Sequence, residues 1–183
     1  SGFVMYYTKV KSDDYNVTVR GRFHVTKVDK ADNQSSFGII VTDSLGSKDT
    51  SADYLNQAEI CAATKNEATK TCIPGIRTLF GNIDASGKSN NGGTCDVTQY
   101  FDKDATVFKS DNAKSLYYNF EVVKDSNGYV FNYYSDDWSK INYSKRIYNP
   151  EKLLKQDKEN VYIGFYASRI GTCLLYTSPS PRD

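Results

Sequence analysis

Apolar side chains alternate with polar ones along residues 15–28, which read YNVTVRGRFHVTKV. Within residues 17–25 the apolar residues stand at odd-numbered positions and are Val17, Val19, Phe23 and Val25. The residues at the even-numbered positions between them are basic or carry hydroxyl groups. Because successive side chains of a β-strand point to opposite faces, this alternation predicts a strand with one buried and one solvated face. A chain that repeats this pattern must fold as a sheet with a second layer covering its apolar side.

The same pattern recurs along the chain. Residues 36–43, 76–82, 116–125, 129–134 and 161–169 all read as strands, and Asn127-Gly128 predicts a tight hairpin between the third and fourth of these segments. Only residues 149–156, NPEKLLKQ, begin like a helix, with Asn149 as N-cap and Pro150 in the first turn. We therefore predict an all-β fold, an antiparallel two-sheet sandwich or jelly roll with at most one or two short helical turns. The predicted core is Val17, Val19, Phe23, Val25, Phe37, Ile39, Val41, Phe120, Val122, Phe131, Ile163 and Phe165.

Composition excludes several classes of partner. The 183 residues carry 23 basic and 22 acidic side chains, a formal net charge of +1, so there is no overall positive field to attract nucleic acid. No apolar run approaches the ~18 residues of a membrane span. The chain has 15 Tyr and 9 Phe but one Trp, one Met and one His. Such a composition favours strands whose tyrosines are half-buried on pleated surfaces.

The C-terminal residues 173–183, CLLYTSPSPRD, break the alternation and contain Pro179 and Pro181. Codons that encode this string resemble a transposon-end adapter from sequencing libraries, so we interpret the segment as a non-native tail. Residues 1–172 are then expected to form a single sandwich domain, truncated at both ends. Without the tail the cysteines are Cys61, Cys72 and Cys95. An odd set leaves one disulfide or none, and the lack of a CxxC spacing argues against zinc.

Motifs for catalysis are absent. The sequence has no Gly-rich phosphate loop, no GxSxG and no HExxH. A Ser-His-Asp triad would require His24, which lies on the solvated side of its predicted strand. Glu121 and Asp125 come nearest to a carboxylate pair, but Asp125 ends a strand at a turn, and Asp136 and Asp137 read as turn residues. We therefore expect no enzymatic activity.

Aromatic and amide side chains stand together near the predicted hairpin. Tyr117, Asn119 and Glu121 alternate opposite the core residues, and Trp138 follows in a loop. Aromatic rings stack on the C–H faces of sugars, and amides or arginines hydrogen-bond to the hydroxyl groups. The sequence thus predicts a carbohydrate-binding patch, and its candidate residues are Trp138, Tyr134, Asn132, Tyr117, Asn119 and Arg77. Arg20, Arg22 or Arg77 would suit an acidic polymer.

The order of GFVMYYTKV, YNVTVRGRFHV, FGIIVTDS and the long segment from YYNFEVVKD to VYIGFYASR resembles a sandwich module of large secreted bacterial proteins. This module is similar to the concanavalin A-like lectin and glucanase fold and accompanies pectate-lyase-like or adhesive domains. The resemblance implies export to the cell surface or medium, neighbouring domains in the same polypeptide and a polysaccharide partner, with an acidic, pectin-type polymer as the candidate. Modules of this kind often hold a structural Ca²⁺ through loop carboxylates, for which the acidic loops here offer candidates.

These observations favour a non-catalytic carbohydrate-binding module. Two alternatives remain at the level of sequence. One is a spacer sandwich that binds nothing, for which a featureless convex surface would be typical. The other is a divergent glycoside hydrolase or polysaccharide lyase, which would need two carboxylates across a cleft.

Overall fold

The computed structural model describes residues 2–25, 35–43, 45, 58–66, 71–78, 97–100, 108–109, 116–147 and 157–169. Within these ranges the chain forms strands and no helix, and therefore no helix long and apolar enough to cross a membrane. The predicted helix at 149–156 and the tail at 173–183 lie outside them. The strands are β1 (Gly2–Lys11), β2 (Val17–Val25), β3 (Ser35–Thr42), β4 (Ala58–Asn66), β5 (Thr71–Thr78), β6 (Val97–Tyr100), β7 (Phe108–Lys109), β8 (Leu116–Asp125), β9 (Gly128–Tyr134), β10 (Ile141–Ile147) and β11 (Asn160–Arg169).

These strands form two antiparallel sheets, which confirms the predicted all-β sandwich. The larger sheet has the order β1-β11-β3-β4-β5-β6, with β7 also paired to β5, and the smaller has the order β10-β9-β8-β2. Strand β2 lies against β3 and β11, and β8 lies against β3 and β4. The chain crosses between sheets at the β1–β2 turn, where buried Lys124 donates hydrogen bonds from Nζ to the carbonyl oxygens of Ser12 and Asp14.

The core lies between the two sheets and is rich in aromatic rings. The Phe23 ring from the smaller sheet packs on Phe37 and Phe165 of the larger sheet, with centroids 5.9 and 5.7 Å apart. Of the predicted core residues, six are buried: Ile39, Val41, Phe120, Val122, Phe131 and Ile163. Five more, Val17, Val19, Phe23, Phe37 and Phe165, are half-buried against that cluster, and the side chain of Val25 lies outside the described part.

The predicted hairpin is confirmed between β8 and β9. Asp125 pairs with Gly128, so the loop consists of Ser126 and Asn127, and the Asn127 backbone N–H donates to Asp125 Oδ1 at 2.9 Å. Gly128 has a φ of 125°, a value that favours glycine. The hairpin fixes the register in which the residues of β8 and β9 face each other.

Two cysteines lie on neighbouring strands of the larger sheet. Cys61 of β4 pairs with Ile76 of β5, whereas Cys72 pairs with Lys65. The two cysteines are therefore four positions apart along the ladder, roughly 13 Å at the usual rise of a strand. A disulfide needs Cα atoms within about 7 Å, so this register excludes a Cys61–Cys72 bridge. Cys95 lies outside the described residues.

Candidate binding face

The outer face of the smaller sheet brings together the polar residues of three strands. Arg20, Glu121 and Asn132 form one row across β2, β8 and β9. Arg22, Asn119 and Tyr134 form the next row, and His24 stands opposite Tyr117 in the third. Because directly paired residues of antiparallel strands share a face, the hairpin register places all of these side chains on the side away from the core.

The β9–β10 loop, residues 135–140, folds back over this face. Asn119 Nδ2 donates to the carbonyl oxygens of Ser135 and Asp136 at 2.7 and 3.0 Å. Arg22 Nη2 also donates to the Asp136 carbonyl, at 2.5 Å. Two side chains of the sheet thus hold the backbone of the loop in place above them.

The loop is also stabilised by its own hydrogen bonds. Asp137 Oδ1 accepts from the hydroxyl groups of Ser135 and Ser139 at 2.7 and 2.6 Å, and from the Ser139 backbone N–H at 3.0 Å. The Ser139 hydroxyl, and then that of Ser135, lower the pKa of Asp137 well below its usual range. These bonds hold Trp138 in a left-handed conformation, with a φ of 64°, which a bulky residue rarely adopts.

Burial removes two predicted ligands from the surface. Asn119 is 1% exposed and Asn132 is 5% exposed, so neither amide is open to a polymer. The Asn132 Nδ2 group donates to Glu121 Oε1 at 2.9 Å, while that of Asn119 is used by the loop. Asn119 therefore holds the loop and Asn132 holds the Glu121 carboxylate, and neither is expected to contact a polymer.

Glu121 is the centre of a buried polar network. It accepts hydrogen bonds from Arg20 Nε at 2.8 Å, from Asn132 and from the Tyr134 hydroxyl at 3.0 Å. Burial is the largest single influence on its pKa and acts to raise it, but the hydrogen bonds together outweigh burial and lower the pKa. The hydrogen bond to Glu121 in turn raises the pKa of Arg20, so both groups are charged at neutral pH.

Aromatic rings and cations alternate on the part of the face that solvent reaches. The Arg20 guanidinium carbon lies 4.9 Å from the Trp138 ring centroid and 5.3 Å from that of Tyr134. The Arg22 guanidinium carbon lies 4.3 Å from the centroid of Tyr117, on which the His24 ring also stacks at 4.5 Å. We call these six residues the aromatic–arginine patch: Arg20, Arg22, His24, Tyr117, Tyr134 and Trp138.

Five of the six candidate residues predicted from sequence meet on this one face, and the sixth does not. Arg77 lies on β5 of the larger sheet, opposite Ile60 and Thr98, and its side chain is outside the described part. Sequence reasoning missed Glu121 as the centre of the polar network and the hydrogen bonds that fold the loop back onto Asn119 and Arg22. The Ser135-x-Asp137-x-Ser139 spacing was the available signal, because such residues readily bond to their own backbone.

The carboxylates of β8 are held in ion pairs rather than across a cleft. Glu121 bonds to Arg20, and Asp125 makes a bidentate pair with Arg146, at 2.8 and 2.7 Å. Among the residues described, no three His, Cys, Asp or Glu side chains gather where they could hold a metal ion. Structural Ca²⁺ stays a prediction for this domain.

Comparison with known proteins gives two matches. The chain is 26% identical over 191 residues to "Pectate lyase L" of Thermoclostridium stercorarium, and the match covers 100% of this chain but 14% of that protein. No solved structure matches with significance. The sequence profile of the family described as "Pectate disaccharide-lyase N-terminal domain" matches residues 1–175. The chain therefore belongs to the pectate disaccharide-lyase N-terminal domain family.

Proposed function

We propose that this domain binds an anionic polysaccharide of the pectate type through the aromatic–arginine patch and does not cleave it. The observation that carries the proposal is a pair of neighbouring aromatic–cation contacts. Trp138, which its loop holds in place, lies beside Arg20. Tyr117 lies between contacts to Arg22 and His24. Rings offer stacking surfaces to sugars, and arginine forks match carboxylates in a bidentate geometry. Family membership supports this choice of polymer.

Arg20 and Arg22 have different roles in the proposed binding. Arg20 is paired with Glu121, so much of its charge is already compensated. Arg22 is exposed, and in the described part of the chain it bonds to a backbone carbonyl and has no carboxylate partner. Arg22 is therefore the cation best placed to bind a uronate carboxylate, to which its N–H groups would donate, whereas Arg20 orients Trp138 and Tyr134.

The proposal also covers the lack of cleavage and the location of the domain. The two carboxylates of β8, Glu121 and Asp125, are engaged in ion pairs, which supports a binding role over a hydrolase or lyase that uses them as free acid and base groups. A polymer of this kind is met outside the cell, so we place the domain in the medium or at the cell surface, beside other domains of its polypeptide. Similarity to concanavalin A-like lectins stays a prediction about its fold relatives.

Binding can be tested by affinity electrophoresis in gels that contain polygalacturonate or a neutral galactan. We expect retardation by polygalacturonate that weakens as salt rises, because exposed charges are screened. Arg22→Gln should weaken binding by about 10- to 150-fold, since a charge-assisted hydrogen bond contributes about 1.5–3 kcal/mol. Trp138→Ala should weaken it as well.

Lys9→Gln is the matched control, because Lys9 is an exposed cation on β1 of the other sheet. An equal loss in Lys9→Gln and Arg22→Gln would assign the retardation to net charge and contradict the patch. No retardation of the parent chain would favour the spacer alternative, which the burial of Asn119 and Asn132 also fits. Release of sugar products that a single carboxylate substitution abolishes would show an enzyme instead.

A further inference from the structure

The first half of β1 exposes apolar side chains on the inner side of the larger sheet. Tyr6 pairs directly with Phe165 of β11 and Val4 pairs with Ala167, so each pair shares a face. The Phe165 ring points inward and packs on Phe23 of the smaller sheet, at 5.7 Å between centroids. Tyr6 is nevertheless 80% exposed and Val4 is 66% exposed. The smaller sheet therefore stops short of β1.

The strand that stops short is β2. It is the last strand of the smaller sheet, and within the described part of the chain no strand pairs with the edge of β2 that faces away from β8. Its inner side lies against β11, where a Cβ on Gly21 would come within 2.6 Å of the Phe165 ring. Neighbouring strands are about 4.8 Å apart in both sheets. One more strand beside β2 would therefore lie over β1, where Val4 and Tyr6 are uncovered.

We propose that this corner is a docking site for an additional β-strand, which pairs with the edge of β2 that faces away from β8 and covers Val4 and Tyr6. Backbone hydrogen bonds to β2 would provide affinity, as in other cases of strand addition. The inward side chains of the added strand would be apolar, because they would replace water over Val4 and Tyr6.

The outward side chains of the added strand would be acidic. They would stand next to Arg20, Arg22 and His24, which are the exposed residues of β2 beyond Thr18. Opposite charges across neighbouring strands are favourable, and like charges are not. This rule also disfavours a second copy of the chain, because antiparallel pairing of two β2 strands about Gly21 would set Arg20 against Arg22.

The occupant to which we commit is a segment of the longer polypeptide that contains this domain. The family is described as an N-terminal domain, and this chain spans 14% of the length of the curated relative that it matches. Covalent linkage would raise the effective concentration of such a strand, so weak pairing would be enough. This inference does not depend on polysaccharide binding by the patch.

Hydroxyl-radical footprinting with tandem mass spectrometry tests the proposal on the 183-residue chain and on the full-length polypeptide. Tyr7 is the internal control, because it is 44% exposed and lies next to Tyr6 but on the opposite face of β1. Oxidation of Tyr6 should be high in the short chain and should fall in the full-length protein to the level of buried Tyr118. Oxidation of Tyr7 should change little. An Arg22→Glu substitution in the full-length protein should restore oxidation of Tyr6.

Equal oxidation of Tyr6 in both polypeptides would overturn the proposal. Protection of Tyr6 that survives Arg22→Glu would overturn the acidic character of the strand. Protection that appears in the short chain at high concentration, together with a doubled mass, would assign the site to a second copy. Protection that appears on adding oligogalacturonate to the short chain would assign it to sugar.

Discussion

Phe120 illustrates how much of the stability of this domain depends on single inward positions. Its side chain is fully buried, and its ring lies 5.7 Å from that of Phe23 and 5.6 Å from that of Tyr133. Replacing a buried phenylalanine removes apolar contact and leaves a cavity.

Phe120→Ala should therefore lower the free energy of unfolding by about 3–5 kcal/mol, as measured by urea denaturation. Tyr6→Ala on β1 is the control, because Tyr6 is 80% exposed and its loss should change stability by about 0.5 kcal/mol or less. Similar small effects in both variants would mean that the core is not packed as described.

Glu121 gives the domain a pH dependence whose sign follows from its hydrogen bonds. The pKa of Glu121 is lower in the folded protein than its ordinary value of 4.5, so the unfolded chain binds the proton more readily. Its contribution is complete above the ordinary value and is lost as pH falls through the folded value.

Glu121→Gln should cost about 1–2 kcal/mol at neutral pH, because the network of Arg20, Asn132 and Tyr134 loses its anion. The difference from the parent chain should shrink as pH falls from about 6 to about 3, as followed by urea denaturation at each pH. A difference that stays constant over that range would show that the charge of Glu121 is not what the network requires.

At the scale of elements, the β9–β10 loop is the part that converts a sheet face into a candidate site. Its shape depends on Asp137, whose carboxylate accepts three hydrogen bonds from Ser135 and Ser139. The loop is exposed at Asp136, Asp137, Ser139 and Lys140, so its internal bonds contribute little to global stability.

Asp137→Ala should therefore release Trp138 without unfolding the domain. We expect a change in the Trp138 fluorescence spectrum and weaker retardation by polygalacturonate, while the thermal unfolding transition changes by only about 2 °C. Asp136→Ala is the matched control, because this neighbour contributes its backbone carbonyl rather than its carboxylate to the face. Loss of binding in both variants to the same extent would count against the hydrogen bonds of Asp137.

At the scale of the whole molecule, the sandwich should be independent of residues 173–183. That segment lies outside the described residues, and its two prolines cannot donate to a β-ladder. Its deletion should leave the melting temperature within about 2 °C, as measured by circular dichroism.

A chain that ends at Phe165 is the contrasting variant. It would lose the last four residues of β11, which lies between β1 and β3, and it should unfold at a much lower temperature. Unfolding caused by deletion of the tail alone would show that the tail is packed structure and would contradict its interpretation as an adapter.

The sequence by itself determined the fold class and, for strands β2 and β8, which side chains face the core. Alternation along residues 15–28 and 116–125 separated Phe23 and Phe120 from Arg22 and Asn119, and Asn127-Gly128 placed the hairpin. These are local properties, because side-chain direction in a strand has a period of two and a tight turn fixes the register. The shared face of Tyr117, Asn119, Asn132 and Tyr134 therefore follows from the alternation and the hairpin alone.

Only the tertiary structure decided which of those residues solvent can reach. The loop that bonds to Asn119 folds back from the end of β9, and no periodicity in the sequence encodes that direction. The separation of Arg77 from the patch depends on which sheet β5 joins. The exposure of Tyr6 depends on how far one sheet extends over the other, because burial is set by the neighbouring layer and not by the strand itself.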